Sequence, residues 1–181
     1  MSQHVSNYAL DSATIVLDLI NATNNTDITF NEVVFTQLIE GEGSNTLLDV
    51  EAIAGKGYRG TAQIEYTRVN LNQIPNIGDE PLESDATTVG GIIARINDLY
   101  YINLEASDVT VNGYDLSTDA DTVIIDQPSP GVAVPVTVTA KAGSYVWMGS
   151  YAFDIIPVII DLGDIWSSAP LDGLYPPLAP Q

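Results

Sequence analysis

Apolar residues recur at three- and four-residue steps in two places along this chain. Ala13, Val16, Leu17 and Ile20 do so after Asp11 or Ser12, and Val89, Ile92, Ile93, Ile96 and Leu99 or Tyr100 do so after Ser84 or Asp85. That period turns one stripe of a helix toward a core, and the preceding residues are of the kind that cap helix N-termini. Two short helices are expected. The Gly90-Gly91 pair weakens the second by roughly 1 kcal/mol per glycine, a loss that its packing must offset. Elsewhere the period is two. Ile28 and Phe30 alternate with Thr29 and Asn31, and Val109 and Val111 with Thr110 and Asn112. Leu48, Val50 and Ala52 oppose Asp49 and Glu51; beyond a glycine cluster, Ala62, Ile64 and Tyr66 alternate with Gln63, Glu65 and Thr67. Alternation on both sides of such a cluster predicts a β-hairpin.

The pattern is written twice. "SATIVLDLINATNNTDITFNEVVF" (12–35) lies over "DATTVGGIIARINDLYYINLEASDVTVNGYDL" (85–116), anchored by Ile20-Asn21 on Ile96-Asn97 and by "TDITFN" on "SDVTVN". About five extra residues are needed in the second copy. Further on, "VEAIAGKGYRG" (50–60) matches "VTAKAGSYVWMG" (138–149) with one insertion. Three anchors in one order predict a duplication. The break falls at "NQIPNIGDEPLES", where Pro75, Gly78 and Pro81 interrupt an acidic stretch. The expected fold is therefore α+β, with two duplicated small domains over residues 1–78 and 79–165. Each is a short helix plus an antiparallel sheet with a glycine-turn hairpin. Residues 166–181, with four prolines in "SSAPLDGLYPPLAPQ", are expected to form an extended arm.

Composition narrows the partners. The net charge is −19, yet only 16% of residues are charged, so the acidity comes from scarce Lys and Arg, five in all. With 45% hydrophobic residues a core is affordable, and disorder is not indicated. A strongly acidic surface repels nucleic-acid phosphates and anionic lipid, so neither direct nucleic-acid nor membrane binding is expected. The absence of cysteine excludes disulfides, thiolate zinc sites and cysteine nucleophiles. "MSQHVSNYAL" lacks the basic and apolar regions of an export signal, and "YAFDIIPVIIDLGDIW" is cut by Asp154, Pro157 and Asp161. The sequons at Asn21 and Asn24 are then expected to stay unmodified.

Candidate chemistry changes this picture little. Gly55, Gly57 and Gly60 spell G-x-G-x-x-G, but the residues that follow alternate like a strand. A dinucleotide loop needs a helix N-terminus there to hold the pyrophosphate. His4 is the only histidine and has no second imidazole or thiol to share a metal. No catalytic residue, cofactor or metal site is expected. A hydrolase built on carboxylates alone is the enzymatic rival, and nothing singles out a pair among 24 acidic residues. Asp115, Asp119, Asp121 and Asp126 would give oxygen ligands, but they lack the spacing and glycine of an EF-hand loop. The alternative function is thus a calcium- or carbohydrate-binding adhesin-like module. More informative are Lys56, Arg59 and Arg68, three of the five basic residues, as a docking point for an acidic neighbour. Tyr145, Trp147 and Met148 crowd the second hairpin, and Trp166 and Tyr175 lie in or near the arm; all five are candidate partner contacts, a local core being the equal alternative for the hairpin residues.

"ARINDLYYINLEASDVTVNG" and "VEAIAGKGYRGTAQIEYTRVNL" resemble a tandem-repeat domain of tailed-bacteriophage virion structural proteins, over most of residues 10–160. The second hairpin, "AGSYVWMGSYAF", departs from that pattern. The resemblance implies a non-enzymatic structural role in tail, baseplate, fibre attachment or capsid decoration. It also implies other virion proteins as partners, a homo-oligomer or multi-copy assembly, and location in a virion assembled in the host cytoplasm. Such families have no active site to carry over.

Overall fold

Asp11, not Ser12, caps the first helix: its carboxylate accepts the Thr14 N–H at 2.9 Å and starts α1 (Ser12–Asn24). The Thr14 hydroxyl, and after it that bond, hold the Asp11 carboxyl below its ordinary range. The computed structural model describes residues 7–40, 45–74, 82–84, 86–125 and 132–157. After α1 come β1 (Val33–Glu40), β2 (Asn45–Ala52), β3 (Thr61–Thr67), β4 (Val69–Asn70), a 3-10 turn at Leu71–Gln73 and β5 (Leu82–Ser84). The chain continues through α2 (Val89–Tyr100), β6 (Val109–Val111), β7 (Tyr114–Asp115), α3 (Leu116–Asp119), β8 (Val134–Ala140), β9 (Trp147–Met148) and β10 (Ser150–Pro157). His4 and the arm at 166–181 lie outside the described residues.

The architecture is α+β. One sheet has the order β1-β2-β3 and another β5-β10-β8-β6-β7; a short parallel ladder, β4-β9, joins the two halves. All other pairings are antiparallel except β5 with β10. Leu48 and Val50 face α1 with Ile64 and Ala62, their register partners, while Asp49, Glu51 and Gln63 face away. Apolar side chains from both sides of the 78/79 boundary meet in one core. Ile15, Val16, Ile20 and Leu48 join Ile92, Ile96, Val109, Val136 and Ile155 there.

Two expectations are corrected. The cap of α2 is Thr88, whose hydroxyl accepts the Gly91 N–H at 3.1 Å, rather than Ser84 or Asp85. The glycines have a packing reason: a Cβ on Gly90 would lie 3.1 Å from the Ala120 carbonyl oxygen, which already accepts the Gly90 N–H. Residues 28–31 are not a strand. The Asn21 amide holds both backbone groups of Ile28, accepting its N–H and donating to its carbonyl, each at 2.8 Å. That satisfies Ile28 without a neighbouring strand, and β1 begins only at Val33.

Asn97 holds Leu104 in the same way, at 2.9 and 3.1 Å. The recurrence extends well beyond this pair. Asn25 and Tyr101 end α1 and α2 in the left-handed region, each donating to the carbonyl of its clamping asparagine. Val33 N–H bonds the Thr29 carbonyl, and Val109 N–H that of Glu105. Ile53 bonds Glu32, and Lys141 bonds Asp108; Ala52 bonds Gly60, and Ala140 bonds Gly149, the last two both at 2.9 Å. Gly60 and Gly149 have φ of 89° and 75°, where a side chain would be strained. These bonds set Ile28 opposite Leu104 with no extra residues, so the five-residue insertion read from the sequence is not there. The cue "TDITFN"/"SDVTVN" matched two segments at different places in the two halves.

Candidate interaction surface

The polar groups of the seam between the halves come from the ends of elements. Arg68 follows β3, and its side chain is 4% exposed. One guanidinium nitrogen donates to the carbonyls of Ala142 and Ser144, at 3.1 and 3.2 Å, and the other meets the Glu40 carboxylate at 2.7 Å. Beside it the Tyr66 hydroxyl donates to the Tyr145 carbonyl at 2.8 Å, and burial pushes the phenol pKa up. Asp108 is wholly buried and accepts the hydroxyls of Ser12 and Ser144, both at 2.6 Å, with the Glu105 N–H at 3.2 Å. This ties the first residue of α1 to the turn of the second hairpin. Ser144 in turn accepts the Trp147 N–H at 3.1 Å.

The expected docking residues therefore separate. Arg68 is withdrawn from the surface, because two carbonyls and Glu40 already engage its two terminal nitrogens. Trp147 is withdrawn too: it is 1% exposed, lies against Tyr8 at a ring-centroid distance of 5.5 Å, and belongs to the core. Tyr145 is half-buried with its ring edge-on to Phe35, 5.3 Å between centroids, and Met148 is half-buried in β9. Trp166 and Tyr175 lie outside the described residues. Lys56 and Arg59 remain exposed on the 53–60 connection. The seven residues of β3 put Arg68 about 23 Å from them, so the three charges do not form one patch.

Arg59 instead lines a cavity of about 340 Å³ between the C-terminal end of α1 and the turn end of the first sheet, with Lys56 three residues earlier on the same connection. Its lining is mostly apolar, with Ile20, Ile28, Val50, Ala62 and Ile64 below and Tyr58 and Arg59 at the connection. Tyr58 is 46% exposed. A half-open apolar hollow with a cation, Arg59, in its lining suits an apolar chain segment that carries acidic residues.

The acidic loop of the second half is occupied by its own chain. Asp115 caps α3 through the Ser117 N–H and accepts the Lys141 ammonium at 2.8 Å; Asp119 accepts the Asp115 N–H at 2.9 Å. Among the described residues no three His, Asp or Glu side chains are grouped as a metal site. The Lys141 and Ser117 bonds hold the Asp115 carboxyl well below the usual carboxylate range. A depressed folded-state pKa stabilises the fold above the unfolded value of about 3.9, and that contribution fades as pH falls below it. Carboxyl-carbon NMR titration should accordingly find Asp115 still ionised below the ordinary carboxylate range. Lys141→Ala should return it toward the ordinary range.

The residues that sequence reasoning passed over as working groups are Asn21, Asn97, Glu40 and Asp108. The first two were legible as the repeat's anchors, since an identical asparagine one turn from each helix end asks for a shared backbone task. Glu40 and Asp108 carry no such signal, because their partners are 28 and 36 residues away in sequence.

No curated protein and no solved structure matches this chain. One family model does, over residues 5–181, and its description is a family of unknown function. The chain belongs to that family, DUF7941.

Proposed function

We propose that this protein is a non-enzymatic structural subunit of a tailed-bacteriophage particle, assembled from two copies of one helix–strand–hairpin unit. The observation that supports the reading is the recurrence of the same backbone bonds in both halves, as expected of a tandem organisation of the kind that the sequence resemblance implies. The polar chemistry of the seam and of the second half's acidic loop is of a building part: Arg68, Asp108, Tyr66 and Asp115 all hold chain to chain. Self-repulsion by a net charge of −19 keeps free subunits apart until a partner surface compensates it. In this reading the Pro-rich stretch 166–181 serves such a partner as an arm, since proline leaves a chain less conformational entropy to lose on docking.

Deleting Ser167 to Gln181 tests this reading. Circular dichroism and the melting temperature should stay as in the full chain, while incorporation into particles, followed by immunoblotting of purified virions, should be lost. Full incorporation without the arm would overturn the arm's role. Absence of the complete chain from virions would overturn the proposed function itself.

A further inference from the structure

The two halves differ at the turn ends of their sheets. The shared bonds and registers set Val50 opposite Val138, Ile64 opposite Phe153 and Ile28 opposite Leu104. Counting back from Gly60 and Gly149 sets Tyr58 opposite Trp147 and Arg59 opposite Met148. In the second half these places are closed: Leu104, Val138, Phe153 and Trp147 are all buried. In the first half Ile28, Val50 and Ile64 are only half-buried, Tyr58 is exposed, and the cavity lies between them.

What closes the second half is the segment that leaves the first sheet. After β3, Val69 and Asn70 pair in parallel with Trp147 and Met148, with the Val69 N–H on the Val146 carbonyl at 2.8 Å. Leu71 and Ile74 then bury themselves in the core. The corresponding place in the first half, Tyr58 and Arg59, has no segment of the described residues paired to it. By the same register, the residues that follow β10 as Val69, Asn70 and Leu71 follow β3 are Val158, Ile159 and Ile160, which open the apolar run "VIIDLGDIW" (158–166).

We infer that residues 158–166 of a second copy dock on the first half of this chain, repeating between molecules the contact that Val69–Ile74 makes within one. Val158 and Ile159 pair with Tyr58 and Arg59, Ile160 enters the cavity, and Asp161 and Asp164 lie near Lys56 and Arg59. The docking is between copies because of topology. The second hairpin's turn packs on the open end of the first sheet, at Tyr66 and Arg68, so the cavity is at that sheet's other end. β10 starts at the second turn and ends beside β5, so its last described residue, Pro157, is at the end of the second sheet remote from that turn. The end of β10 and the cavity are thus at the ends of the two sheets remote from the seam. A head-to-tail contact of this kind does not close on itself in a pair and continues as a ring or a filament. The inference deepens the structural-subunit reading and rests on it.

The absence of native cysteine makes the test direct. Full-length Arg59→Cys and Ile159→Cys are mixed at about 0.15 M salt, where exposed charges are screened beyond roughly 8 Å, and mildly oxidised. The mixed disulfide dimer should dominate over either homodimer, and the double variant should form linked chains of copies. Ile160→Asp should abolish the link and reduce sedimentation of the cysteine-free chain to that of a monomer, with an unchanged circular dichroism melt; the milder Ile160→Ala should weaken both. Dimers in random proportion, or a link indifferent to Ile160, would overturn the inference. So would a double variant that links within single molecules, since the segment would then serve its own chain. Incorporation into virions is scored separately, so loss of self-docking with incorporation retained would leave the proposed function standing.

Discussion

Trp147→Ala is expected to destabilise the protein by about 3–5 kcal/mol in urea unfolding, the range for truncating a fully buried aromatic. The indole is 1% exposed, packs on Tyr8 and sits where β4 and β9 join the two halves. The cost comes from lost burial and the cavity left behind. Its ring N–H has no hydrogen-bond partner among the described residues, so no side-chain bond is lost with it. Trp147→Phe should for that reason cost much less than the alanine. Any failure of the alanine variant to assemble should track its unfolded fraction. A cost below about 1 kcal/mol would contradict the core assignment and restore the ring as a contact.

Arg68→Ala is the second large effect, about 3 kcal/mol, in line with breaking a buried charged interaction. Two carbonyls of the second hairpin's turn, those of Ala142 and Ser144, lose their donor at once. Glu40 contributes less to the cost, since its carboxylate is 64% exposed and regains water. Arg68→Lys should recover only part of the loss, because an ammonium does not present the planar fork that reaches both the carbonyls and the carboxylate. Thermal unfolding of the three proteins should rank wild type, lysine, alanine. A lysine variant as stable as wild type would show that the charge matters and the fork does not.

From the sequence Arg68 reads as a surface contact and Trp147 as a contact or part of a local core, and the reason is instructive. Basic residues close in sequence look like a patch, but β3 stands between Arg59 and Arg68 and extends about 23 Å. Aromatic residues in a hairpin connection look exposed because connections usually lie on the surface. Here the connection is covered by chain from the other half, through Tyr8, Val69 and Ile74. Neither covering is visible in local sequence, since it depends on contacts across more than seventy residues. The helices were legible because their stripes are local: Val16, Leu17, Ile20, Ile92, Ile93 and Ile96 are buried as their spacing required. The caps were less so, for Asp, Ser and Thr residues crowd both helix starts and only backbone geometry chooses among them.

What the sequence determined by itself is the period of its elements: two amphipathic helices, the alternation of β2 and β3, and an acidic surface, all products of neighbours within a few residues. The tertiary structure decided the rest. It alone set Ile28 opposite Leu104, because one asparagine in each half clamps a loop seven residues away. It alone buried Trp147 and Arg68 while leaving Tyr58, Lys56 and Arg59 open, because Val69–Ile74 covers the second turn and nothing described covers the first. The letters of the two hairpins are similar; what differs is the chain that lies against each.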